Sequence, residues 1–66
     1  MREKLKYMIR LRGYSQKQFA QILDITPNYM SHIIRCKRTP SRYIVLRIAE
    51  ELGMTPEDVL SVEEIA

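Results

Sequence analysis

Asn28, Tyr29, Ser31 and His32 fall within one short run, "TPNYMSHIIRCKR", and each of these side chains can both donate and accept a hydrogen bond. On a helix they make a polar face, too mixed for a core and too small for a charged solvent face. Ile33 and Ile34 supply the opposite, apolar side of the same segment, and the basic pair Lys37-Arg38 follows it. Such a surface is suited to matching the polar edges of another molecule, with cations beside it to hold an anion.

Bond-breaking chemistry has little to stand on. The chain has one histidine, one cysteine and two glycines, so it offers no Ser/His/Asp or Cys/His set and no glycine-rich phosphate loop. Glu50-Glu51 and Glu63-Glu64 read as solvated acidic faces. His32 and Cys36 are four apart, a spacing that can share a metal, but two ligands do not close a zinc site. Neither enzymatic activity nor a metal or other cofactor is expected, and nothing in 66 residues suggests a site for a small-molecule ligand.

Charge is distributed unevenly. Residues 1–47 hold all eleven Lys and Arg against two acids, Glu3 and Asp24, a net +9, whereas residues 48–66 hold six acids and no base, a net −6. A cationic body with an acidic end attracts polyanions, and nucleic acid is the commonest of these in a cytosol. Apolar residues at 45% and charged residues at 29% fit a small globule. The longest unbroken aliphatic run, Ile44-Val45-Leu46, is far short of a membrane span, and the charged start "MREKLKYMIR" is not a secretory signal. One cysteine forms no internal disulfide, so a cytoplasmic, single-domain chain (1–66) held by packing alone is expected.

The elements that must position the polar face read as five short helices, an all-α fold. The first covers roughly Glu3 to Arg12, with Leu5, Met8 and Ile9 on one stripe and Gly13 as its stop. Ser15 caps the second and Gln18 can complete a capping box, with Phe19, Ala20 and Leu23 facing inward. Asp24 and Ile25 make a tight turn before Thr26 caps the third helix, with Pro27 in its first position and Met30, Ile33 and Ile34 inside. Ser41, or Thr39 ahead of Pro40, starts a fourth helix whose stripe is Val45, Ile48, Ala49 and Leu52, ending at Gly53. Thr55, Pro56 and Asp58 open a fifth. Two helices of about two turns joined by a tight turn, with small Ala20 at their approach, have the form of a helix-turn-helix at about 16–34.

The segments "SQKQFAQIL", "ITPNYMSHI", "KRTPS" and "RIAEELGMTPEDVL", in that order and spacing, resemble the Cro/cI-like (Xre) helix-turn-helix family of phage and bacterial repressors. The likeness covers Leu5 to Leu60. It implies a compact five-helix, lambda-repressor-like domain that binds double-stranded DNA, represses transcription and acts as a homodimer. Pro27, Asn28, Tyr29, Ser31 and His32 fall where the family reads base edges, and Asn28 has the chemistry to pair in bidentate fashion with adenine. Lys37, Arg38, Ser41 and Arg42 fall where it follows the phosphate backbone. Gln16 and Lys17 open the second helix, whose N–H groups and dipole favour a phosphate; Arg10 and Arg12 are lesser candidates. Val59, Leu60, Val62 and Ile65 are more apolar side chains than a short terminal helix needs for itself, and are expected to dimerise. The rival is an antitoxin or interaction module that docks a toxin-like protein partner through the acidic end.

Three departures from that family stand out. Many relatives have Arg at the position of Ile9 and Glu at that of Ile34, able to form a largely buried ion pair. Removing one partner of such a pair costs roughly 3–5 kcal/mol, whereas packed apolar replacement of both is neutral or better, so Ile9 and Ile34 are expected to touch. Asp24 stands where glycine is frequent in the bend, and tolerates a left-handed backbone better than most residues. Cys36 also replaces a frequent glycine, and the third helix is expected to end differently there.

Overall fold

The structure, a computed structural model, describes residues 1–62. Its helices are α1 (Glu3–Leu11), α2 (Gln16–Leu23), α3 (Pro27–Ile34), α4 (Arg42–Leu52) and α5 (Pro56–Leu60). No strand occurs among the described residues. Four of the five helices start at a hydroxyl that accepts a backbone N–H three residues on. Ser15 accepts from Gln18 (3.1 Å), Thr26 from Tyr29 (3.0 Å), Ser41 from Ile44 (3.3 Å) and Thr55 from Asp58 (3.1 Å). The Gln18 side chain returns the bond by accepting from the Ser15 N–H at 2.9 Å, which completes the capping box. Each cap is worth about 1 kcal/mol, a large share for a chain this small. Ser41, not Thr39, starts α4.

The stops are as uniform as the starts. Gly13, Asp24, Cys36 and Gly53 all have φ between 58° and 86°. In each case the following N–H turns back to a carbonyl in the last helical turn: Tyr14 to Ile9, Ile25 to Ala20, Lys37 to His32 and Met54 to Ala49, at 2.9–3.1 Å. This is the Schellman closure, and it satisfies carbonyls that a helix end otherwise leaves bare. The expected difference at Cys36 is therefore corrected. Cys36 takes the same left-handed turn as the two glycines, at φ 61°, and α3 closes as α1, α2 and α4 do.

α2 packs closely on α3 and α4 on α5, while α1 lies against α2, α3 and α5. The core is a single apolar cluster running from Leu5 and Ile9 through Phe19, Met30 and Ile48 to Val59. Ile44 joins the inner stripe of α4, which the sequence reading had drawn only from Val45 onward, and Met8 packs on the rim. Ile9 and Ile34 are both buried in this cluster, on helices that pack together, and it contains no acid. Val59 is 0% exposed, so it closes the monomer's own core and leaves the set expected to meet a second copy. Leu60 and Val62 do reach the surface, while Glu63, Glu64 and Ile65 lie outside the described residues.

Two consequences are measurable. A non-glycine residue in the left-handed region costs about 1–2 kcal/mol, part of which glycine returns through a freer unfolded chain. Cys36→Gly should thus raise stability in urea melts by about 0.5–1 kcal/mol, from the same two effects. Ile34→Glu buries an unpaired charge and should cost roughly 3–5 kcal/mol. Adding Ile9→Arg should recover part of that loss, and melts showing no recovery would mean that the two positions do not face each other.

Candidate functional site

The short length of α3 separates its side chains cleanly. Met30, Ile33 and Ile34 fill the core, so helical periodicity turns Asn28, Ser31 and His32 the other way. Asn28 is exposed, and Ser31 and His32 are half-buried. None of these three side chains takes part in a hydrogen bond among the described residues, so their donors and acceptors are free for another molecule. Pro27 is exposed at the first helical position. Arg35 follows Asn28 by seven residues and Ser31 by four, so it extends the same outward face and is exposed. Arg35 was not among the expected site residues, although its i, i+4, i+7 spacing marks it.

Tyr29 differs from the rest of its group. It is half-buried against the core cluster, and the Arg38 guanidinium lies over its ring at 5.7 Å from the centroid. A cation held over an aromatic face gains about 0.5–1 kcal/mol at an exposed site and loses some of its freedom. Tyr29 therefore ties the polar helix to the basic loop. Lys37 and Arg38 are also fixed through their backbone, since both N–H groups donate to the His32 carbonyl, at 2.9 and 3.3 Å. Their cationic heads remain exposed.

Ser15 satisfies the Gln18 N–H at the start of α2, while Gln16 and Lys17 keep N–H groups without an intrahelical partner. Gln16 is half-buried and Lys17 exposed. The first turns of α2 and α4 contain no acid, unlike that of α5, which carries Glu57 and Asp58. Both are thus open to an anion, as a helix start favours. Ser41 and Arg42 at the head of α4 are exposed, and Arg42 also lines a groove with Val45, Leu46, Glu57 and Leu60.

Three arginines are committed to the fold instead. Arg12 donates to the Leu52 carbonyl at the end of α4 (3.3 Å), and Arg47 donates to the Ile22 carbonyl at the end of α2 (3.0 Å). Arg12 thus has a structural use although, like Arg10, it is exposed. Arg2 was missed altogether: it is the buried charged residue, at 6% exposure, and it reaches the end of α3. Nothing in local sequence marks these three, because each partner lies 25 or more residues away. No group of three His, Cys, Asp or Glu residues able to hold a metal occurs among the described residues. No helix described is long and apolar enough to cross a membrane.

Two capped helices about a tight left-handed bend, with a free polar face on the second, form a helix-turn-helix. The family model of the helix-turn-helix domain matches residues 3–65, and the chain belongs to that family of DNA-binding domains. No curated protein and no solved structure matches it.

The stacking of Arg38 on Tyr29 separates two uses of that tyrosine. Tyr29→Phe keeps the ring and should bind DNA within about twofold of the parent, whereas Tyr29→Leu should weaken binding by two- to fivefold, the scale of a lost exposed cation–π contact. Titrations of one labelled duplex would decide it. A loss in Tyr29→Phe equal to that in Tyr29→Leu would assign the hydroxyl, not the ring, to the contact.

Proposed function

We propose that this chain is a sequence-specific regulator of transcription of the Cro/cI-like (Xre) type, a repressor that reads the major groove of double-stranded DNA with α3 as a homodimer. The observation that carries the reading is the outward face of α3: Asn28, Ser31 and His32 carry unspent hydrogen-bonding groups on a helix whose other face is locked in the core. In this reading Asn28 pairs with adenine and His32 meets a purine edge one turn later. Pro27 lies at the thymine methyl groups, and Ser31 and Arg35 widen the contact. The Tyr29 ring takes part through Arg38.

Affinity has a separate source. Lys37, Arg38, Ser41 and Arg42 follow one stretch of backbone, and Gln16 and Lys17 hold a phosphate at the start of α2. Such contacts set register and depend on salt without reading sequence. The acidic first turn of α5 belongs on the side away from DNA. Leu60 and Val62, both exposed, with Leu46 beside Leu60 in the α4–α5 groove, are the apolar surface for a second copy. A two-fold pair spaces its reading helices by about one DNA turn, ~34 Å. The chain works in the cytoplasm, and its regulation comes through abundance or dimerisation.

Selection of bound duplexes from a random pool tests the reading most directly. A defined motif should emerge, and no enrichment at moderate salt would instead favour a protein-docking module. Asn28→Ala and His32→Ala should each relax preference at one or two base positions, at about 1–3 kcal/mol per contact. Lys37→Ala should weaken every duplex alike and reduce the salt slope by about 1. Sedimentation that finds only monomer at high micromolar concentration, with and without the selected duplex, would remove the dimer.

A further inference from the structure

Arg2 precedes the span matched by the family, which begins at residue 3, and its burial is not explained by any contact within its own helix. Its backbone N–H donates to the Ile34 carbonyl at 2.7 Å. Its Nη1 donates to the Ile33 carbonyl at 2.6 Å and lies 3.4 Å from the Arg38 carbonyl. Nε is buried without a partner. The ion pair found among the described residues is Lys4 with Asp58, on the surface, and no carboxylate among those residues pairs with Arg2. The compensation comes from carbonyl oxygens at the C-terminus of α3, where the helix dipole is negative and favours a cation.

The cost of burying a guanidinium this way is considerable, and a methionine or leucine would fill the space without it. What the guanidinium adds is one amino group, Nη1, held by the planar head between two backbone segments, the last turn of α3 and the loop at Arg38. That loop carries Lys37 and Arg38, whose N–H groups both turn back to His32 on the reading helix, and Arg38 lies over Tyr29. One buried side chain thus touches both the end of α3 and the basic loop.

We propose that Arg2 is a positioning residue that presets the Lys37-Arg38 loop against the end of α3, so that the basic pair meets the DNA backbone already ordered. The proposal rests on the DNA-binding reading above. Arg2 touches no phosphate itself. Its contribution is the ordering that the loop would otherwise undergo on binding, and it is therefore the same for every sequence.

The full chain carrying Arg2→Met, which keeps bulk and removes the donors, provides the test, with Arg2→Lys as a second variant that keeps the charge but shortens the side chain and loses the planar head that places Nη1. Without DNA, amide exchange at Lys37 and Arg38 should quicken in both variants relative to that of Ile48 in the core. Affinity is measured on a duplex selected by the parent chain and on a mixed-sequence duplex, under conditions where melts show each protein folded. Arg2→Met should weaken both by on the order of tenfold, the scale of re-ordering one or two basic side chains, with base preference unchanged. Arg2→Lys should fall between Arg2→Met and the parent. In a Lys37→Ala/Arg38→Ala background, Arg2→Met should cost little more.

A loss that persists in full in that background, or a lowered melting temperature with parental affinity and loop exchange, would overturn the proposal and leave Arg2 a core residue. Parental binding by Arg2→Lys would overturn the placement of Nη1 by the guanidinium as its basis. A parent chain that binds neither duplex would defeat the DNA reading and the phosphate role together. The exchange data would then still show whether Arg2 holds the loop.

Discussion

A helix of eight residues leaves as many backbone groups bare at its ends as it pairs inside: four N–H at the start and four C=O at the finish. Alone in water such a helix does not form, because nucleation is costly and propagation too short to repay it. α2 and α3 are both of this length, and α5 is shorter. The fold therefore depends on how helix ends are satisfied. Hydroxyl caps answer the starts of α2 to α5, and left-handed closures at Gly13, Asp24, Cys36 and Gly53 answer part of the finishes. Three of the remaining carbonyls, those of Ile22, Ile33 and Leu52, are met by side chains from elsewhere in the chain.

Those distant donors are arginines, and each serves a different helix. Arg2 reaches the end of α3, Arg12 the end of α4 and Arg47 the end of α2. Their charge suits the negative end of the helix dipole, so the same bond satisfies a carbonyl and favours the cation. A cationic sequence thus divides its bases between two tasks. Some hold helix ends in place, and others, such as Lys37 and Arg38, keep their heads in solvent. Net charge alone does not tell the two groups apart.

The buried faces show the same division of labour. Ile9 and Ile34 occupy the core without charge, while the one buried cation, Arg2, sits at a helix end where carbonyls can meet it. Keeping charge out of the middle of a core this small avoids a desolvation cost that a 66-residue chain has little margin to bear. The outward face of α3 is left free because everything beneath it is apolar and tightly held. A short helix fixed on one side keeps the hydrogen-bonding groups of its other face available to another molecule.

Helix starts, stops and inner stripes were legible in the sequence because they are local. Ser15 with Gln18, Thr26 with Pro27, and Gly53 after Leu52 each act within four residues, through bonds whose geometry the residue type dictates. The polar set on α3 was legible for the same reason, and Arg35 was missed although its spacing placed it there. Asp24 was expected to turn left-handed. Cys36 was not, because cysteine has no special leaning toward that region and only the closure onto His32 imposes it. Tertiary structure alone decided which arginines hold the fold, that Val59 closes the core instead of facing a partner, and that Tyr29 lies beneath Arg38. The first two outcomes depend on where another helix passes, and the third on how the loop after α3 turns back over it. A side chain's exposure and its distant partner are properties of the packed chain, and spacing along one helix does not contain them.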